Sequence, residues 1–203
     1  ANLPAAFNHV FFTNSGSEAN DTNIRLVHRY FDLLDQPQKK HIIARTNGYH
    51  GSTIGSASLG GMKGMHDQMQ RLPYVHHVEQ PYSFPHLGAQ TAEEIGQQAA
   101  QSLADKIDAL GPENVAAFIA EPIQGAGGVI IPPDNYWPLV AEICRSRDVL
   151  IISDEVICGF GRTGQWWGCQ TYNFEPDLIT FAKAVTNGYQ ALGGVAVSDR
   201  IAK

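Results

Sequence analysis

A chain of 203 residues that is 43% hydrophobic and 17% charged carries enough apolar surface for one sizeable core, which excludes an intrinsically disordered chain. Its 14 basic residues against 20 acidic ones leave a formal charge of -6 with no basic block, so the attraction used in nucleic-acid or anionic-membrane binding is missing. Cys144, Cys158 and Cys169 form no CxxC pair, which signals neither a disulfide framework nor a zinc or other metal site and suits a reducing, cytoplasmic setting. No apolar run is long enough to span a bilayer and no signal-peptide pattern opens the chain. It begins at Ala1 rather than Met and stops at Lys203 just after a helix start, so a piece of a longer chain is expected.

In chain order, β-rich apolar runs alternate with helical stripes, the pattern of a parallel sheet wrapped by helices. Val10 to Thr13 predicts a strand that runs through a small-residue turn into a helix over Glu18 to Leu34, with Ile24, Val27, Phe31 and Leu34 on one stripe. Ile42 to Arg45 predicts a second strand, and the short helix after Gly51 is ended by Gly60 and Gly61. Residues 62 to 90, with scattered His, Pro, Tyr and Gly, read as irregular chain around a rim. Thr91 and Glu94 have capping-box spacing and open a helix carried by Ile95, Ala99, Leu103, Ile107 and Leu110 until Gly111. Next come a strand over Val115 to Ala120, a helix from Asp134 to Arg147 led by Pro133, and a strand over Val149 to Ser153. Leu178 to Ala182 and Gly194 to Val197 complete the set, and the near-continuous apolar character of these strands predicts burial on both faces. The expected class is α/β, a three-layer α/β/α sandwich with a mostly parallel sheet in a single domain.

In such sheets ligands collect at the carboxyl ends of the strands, so the polar residues there are the candidates. "TNSGSEAN" (13–20) turns through Ser15, Gly16 and Ser17 into a helix N-terminus, either an anion site or a plain serine cap. "TNGYHGST" sets Tyr49 and His50 between two glycines, which lets a ring lie close to a flat ligand or simply makes a turn. "AEPIQGAGG" ends a strand on Glu121, which either supports a site by hydrogen bonds or, taken alone, reads better as a solvated carboxylate. "VLIISDEVICGFGRTG" finishes a buried strand with Asp154 and Glu155, an expensive pair without a cationic partner. Alternation sends Asp154 and Val156 to one face and Glu155 to the other, and an Asp beside a Val suits a flat cationic heterocycle. Gly159, Gly161 and Gly164 in the same stretch spell GxGxxG, but no helical stripe follows and no acidic residue ends a second strand at the right distance, so a dinucleotide fold is not supported. Finally, Lys183 interrupts the apolar run "TFAKAVTNGY". An apolar pocket would favour its neutral, nucleophilic form; the plain alternative is a buried stem with its head in water.

A phosphate turn, a stacking aromatic, a strand-end Asp and an amine nucleophile, in that order, describe a site for pyridoxal phosphate. The motifs "NSGSEAN", "GYHG", "EPIQGAGG", "SDEVICGFGRTG" and "DLITFAKAVTNGY" resemble those of class III (omega) aminotransferases, fold type I pyridoxal-phosphate enzymes, within the amine:pyruvate branch. The resemblance covers essentially the whole chain, and the 29-residue separation of Asp154 and Lys183 is similar too. It implies that residues 1–203 form the cofactor-binding large domain, without the N-terminal segment and the C-terminal small domain. Gly16 and Ser17 would hold the phosphate, and Tyr49 would stack on one ring face with His50 beside it. Asp154 would pair with the ring nitrogen, with Val156 on the opposite face and Glu121 supporting the Asp154 and ring-oxygen network. Lys183 would carry the cofactor as a Schiff base, while Arg162 reads as a structural residue of its loop. The implied activity is transamination from an amine or omega-amino acid donor to a keto acid such as pyruvate, in a homodimer whose partner completes the site. Lys183 and Asp154 also serve other enzymes of this cofactor class, so an aminomutase, a decarboxylase or an inactive fragment keeping the fold are the alternatives.

Overall fold

The computed structural model describes residues 2–82 and 88–203. Among them run the strands β1 (Phe7–Thr13), β2 (His41–Arg45), β3 (Val75–Val78), β4 (Val115–Ala120), β5 (Leu150–Asp154), β6 (Leu178–Phe181) and β7 (Gly193–Ser198). The helices are α1 (Gly16–Leu33), α2 (Ile54–Leu59), α3 (Lys63–His66), α4 (Ala92–Leu110), α5 (Tyr136–Ser146), α6 (Gly168–Thr171) and α7 (Asp199–Ala202). One sheet joins the strands in the order β1-β7-β6-β5-β4-β2-β3, and only β7 runs antiparallel to its neighbours.

The interior strand β4, VAAFIA, is buried at every position because helices cover both faces of the sheet. Its alternate side chains divide between two cores. Phe118 and Ala120 pack with Leu103 of α4 and Trp137 of α5, whereas Ala117 and Ile119 pack with Val27 and Phe31 of α1. The result is the three-layer α/β/α arrangement with a mostly parallel sheet. Trp137 stacks on Phe174 at 3.9 Å between centroids, and its indole N–H donates to the Pro122 carbonyl, so this large ring is buried with its polar atom satisfied.

Local chemistry explains the helix ends. Thr91 and Glu94 form both halves of a capping box on α4, and Gly111 stops that helix at φ 81°. Leu34, expected on the α1 stripe, is instead the exposed C-cap, because the helix ends one residue earlier. The segment expected to be irregular contains α3 and the edge strand β3, which pairs parallel with β2; residues 83–87 of that segment lie outside the described residues. The sequence VHHV places a valine at each end of β3 and histidines between them, so it carries no apolar run to announce a strand. After the GxGxxG stretch come turns and only the four-residue α6.

The last strand departs from a simple parallel reading for a reason of connectivity. Residues 182–192 join β6 to β7 with only a short 3₁₀ turn and no crossover helix, and a connection of that kind must return the chain antiparallel. The connection therefore stays at the carboxyl end of β6, where it overhangs the ends of β5 and β6.

Candidate active site

The first wall of the site is the junction of β1 and α1. Thr13 Oγ1 donates to the Ser15 carbonyl at 2.9 Å, Ser15 Oγ accepts from the Glu18 N–H, and the Asn14 N–H donates to the Glu18 carboxylate. Gly16 and Ser17 are thereby fixed as the opening residues of an 18-residue helix, whose first-turn N–H groups have no intrahelical acceptor and whose dipole favours an anion. A Cβ at Gly16 would lie 2.8 Å from a Val156 methyl, so glycine is what lets this helix end close against the loop after β5.

The second wall is the Tyr49–His50 loop. Ser17 Oγ accepts from the Ser52 N–H, and Gly51, at φ 134°, has no room for a side chain because a Cβ would lie 2.8 Å from Ser17 Cα. Gly51 thereby docks this loop onto α1. The Tyr49 N–H donates to one oxygen of Glu121 and the Gly125 N–H to the other. Glu121 is therefore buried and not the solvated carboxylate expected from the sequence alone. Burial pushes its carboxyl above the usual range; His50 opposes this, the charge of Asp154 adds to it, and the two N–H bonds oppose it. Glu121 makes no hydrogen bond to Asp154 and supports the site through the Tyr49 backbone.

The floor is Asp154, 3% exposed at the end of β5. Its Oδ2 accepts from Asn20 Nδ2 at 2.8 Å and lies 2.7 Å from His50 Nδ1, while Oδ1 accepts from the Val156 N–H at 3.2 Å. A carboxylate has no proton to give, so the His50 hydrogen sits on Nδ1. The adjacent Glu155 points away from the cavity and is fully buried. It accepts from Ser153 Oγ and from the Gly168 and Cys169 N–H groups at the start of α6, against burial that still raises its pKa. The expensive pair is thus split between two polar environments, with His50 beside one member and neutral donors around the other.

Lys183 has the more open of its two expected settings. β6 ends at Phe181, Ala182 is extended, and Lys183 turns the chain off the sheet at φ 47°, with its side chain exposed at the cavity. Its Nζ has no hydrogen-bond or ion-pair partner among the described residues. Arg162 lies exposed on its loop, outside the cavity.

Together these segments enclose a cavity of about 420 Å³ lined by Gly16, Ser17, Tyr49, His50, Glu121, Asp154, Val156 and Lys183, so every residue to which the resemblance gives a cofactor role reaches one place. Thr186 and Gln190 of the β6–β7 connection close it from above. Sequence reasoning missed Asn20, and a signal was available: Asn20 and Asn23 continue the apolar stripe of α1, and polar residues at core positions need buried partners.

The family model for class III aminotransferases matches residues 1–203. The chain is 56% identical over 199 residues to the putrescine–pyruvate aminotransferase of Pseudomonas aeruginosa, covering 98% of this chain and 44% of that protein. It is 50% identical over 194 residues to the vanillin aminotransferase of Capsicum frutescens, covering 95% and 42%. Among solved structures, the omega transaminase of Pseudomonas jessenii in complex with PMP superposes with a TM-score of 0.95 at 44% identity, covering 98% of this chain and 44% of that one. The chain thus spans less than half the length of these relatives. The cavity also fits pyridoxal phosphate, the cofactor of this family: a helix N-terminus made close by Gly16 suits the phosphate, a buried carboxylate suits the ring nitrogen, and an unpartnered amine suits the aldehyde. With the match running from the first residue to the last, the chain belongs to the class III aminotransferases.

Proposed function

We propose that this protein carries out pyridoxal-phosphate-dependent transamination, moving an amino group from an amine or omega-amino acid to a keto acid such as pyruvate. In this reading residues 1–203 are the cofactor-binding large domain of a cytoplasmic homodimer that binds neither nucleic acid nor membrane. The observation that carries it is the convergence, in one cavity, of the α1 N-terminus, the Asp154 carboxylate and the free Lys183 amine. The 56% identity to a putrescine–pyruvate aminotransferase supports an amine donor and pyruvate as acceptor.

When bound, the cofactor supplies a ring that draws off the electrons left when a substrate loses its α-proton. The rest is work for the chain's own groups. The first-turn N–H groups at Gly16 and Ser17 would bind the phosphate, and Asp154 would hold the proton of the ring nitrogen. Tyr49 and Val156 would cover the ring and keep water from it. Lys183 Nζ would hold the cofactor covalently, and the same amine is placed to take up the substrate's α-proton and give it back.

The test uses the full-length protein. Added pyridoxal phosphate should give a yellow band that borohydride bleaches while fixing the cofactor to the protein, and that Lys183→Ala abolishes; a band that survives the substitution refutes the role of the lysine. Incubation with putrescine and pyruvate should yield alanine. A different product, with no alanine, would move the reading to an aminomutase or a decarboxylase.

A further inference from the structure

Three buried polar side chains beneath the cavity have no part in the chemistry just described: Asn20 and Asn23 of α1 and Thr180 of β6, all fully buried. Thr180 is the cross-strand neighbour of Asp154 in the β5–β6 ladder and stands three residues before Lys183. Asn20 joins the two strands. Its Nδ2 donates to Asp154 Oδ2 and to the His50 carbonyl, both at 2.8 Å. Its Oδ1 accepts from Thr180 Oγ1 at 2.7 Å and from Asn23 Nδ2 at 3.1 Å. Two donated and two accepted bonds are all that a primary amide can make, so the orientation of this group is determined. Turned over, it would face two acceptors with its oxygen and the Asn23 donor with its nitrogen, and lose at least three of the four bonds.

The consequence falls on Asp154. Oδ2 receives both Asn20 and His50, which uses its two lone-pair directions, whereas Oδ1 receives only the longer bond from the Val156 N–H. We infer that Asn20 is a positioning residue: with His50 it saturates Oδ2 and leaves Oδ1 as the oxygen that meets the cofactor's ring nitrogen, while Thr180 and Asn23 hold the Asn20 amide in the orientation this requires. The inference rests on the reading of the cavity as the pyridoxal-phosphate site.

The titratable groups facing Asp154 are His50, Glu121 and Lys183, all unchanged in the variants that test the idea. Asn20→Ala frees Oδ2 and should weaken pyridoxal-phosphate binding to the full-length protein about tenfold near neutrality, the loss expected for a charge-assisted bond. Asn20→Asp should behave differently on the two sides of neutrality. On the acid side its carboxyl carries a proton and can donate to Oδ2 as the amide does, which restores affinity toward the natural level. On the alkaline side two carboxylates face each other and affinity falls again. With ring-¹⁵N-labelled cofactor, the ¹⁵N shift should report a protonated ring nitrogen in the natural protein and in Asn20→Asp at acid pH, with protonation lost at lower pH in Asn20→Ala than in the natural protein. A purely structural role for Asn20 would produce no such split between acid and alkaline Asn20→Asp. Thr180→Val removes the bond to Asn20 Oδ1 without touching Asp154, so it serves if the Asn20 variants do not fold, and should weaken binding about threefold. Natural-level affinity and an unchanged ¹⁵N titration in the folded variants overturn the inference while leaving the site assignment standing. A natural protein that takes up no pyridoxal phosphate overturns the site assignment itself.

Discussion

Single residues in this site are constrained by what lies behind them as much as by what they face. Gly51 is the sharpest case: its backbone is left-handed at φ 134°, and an added Cβ would meet Ser17 Cα and Ser56 Cβ within 2.8 Å. Gly51→Ala should therefore cost about 1–3 kcal/mol in stability, the range for a strained backbone position. It should also weaken pyridoxal-phosphate binding, because the contact it forces apart is the one that docks the Tyr49–His50 loop on the N-terminal end of α1. Thermal melts with a cofactor titration measure both effects, and a variant that melts and binds like the natural protein would show that the contact is not needed. The residues that meet in the cavity were largely legible from type and place, since Asp154 ends a buried apolar strand and Lys183 interrupts an apolar run. Their environments were not. Lys183 is exposed because the backbone turns off the sheet after Ala182, and Glu121 is buried because two N–H groups from different loops reach it; neither follows from a local pattern.

At the scale of elements, the least legible part was β3, and its histidines give it a measurable property. His77 Nε2 lies 3.1 Å from the Leu59 carbonyl and its ring 5.1 Å from that of His66, while on the other face His76 Nε2 lies 2.9 Å from His41 Nδ1. Burial pushes His77 down to about 4; the Leu59 and Gly60 carbonyls oppose this, and His66 and Arg71 add to it. Burial, with His41 and Lys106, also lowers His76. A lowered folded-state pKa means that the unfolded chain takes up the proton first, near pH 6.5, so stability is lost as pH falls from there toward about 4. Discounted for partial exposure, the His77 contribution to that loss is about 2 kcal/mol. Urea midpoints at pH 7 and pH 5 should diverge in the natural protein, and less so in His77→Gln; equal divergence in the two would remove His77 as the cause. By contrast α1 and α4 were readable almost to the residue, because an apolar stripe with a side-chain cap is a local signal.

For the whole molecule, the near-continuous apolar character of the strands announced a sheet covered on both faces, and the two cores confirm it. Strand order and the reversal of β7 were not announced, since they depend on which distant strands pair and on a connection that lacks a crossover helix. The division into two cores has a functional side. The cavity is built from α1, the ends of β5 and β6 and the loops beside them, whereas α4 packs on the opposite face and contributes nothing to the lining. Leu103 lies wholly within that opposite core, so Leu103→Ala should lower the unfolding free energy by about 3 kcal/mol through the cavity it leaves. At temperatures well below the melting midpoint, its pyridoxal-phosphate dissociation constant should stay within about twofold of the natural value, because sites without shared partners act independently. Measuring both quantities on one preparation decides the matter. A loss of affinity in step with the loss of stability would mean that the sheet transmits packing changes from one face to the other, and that the site depends on the α4 core as well as on α1.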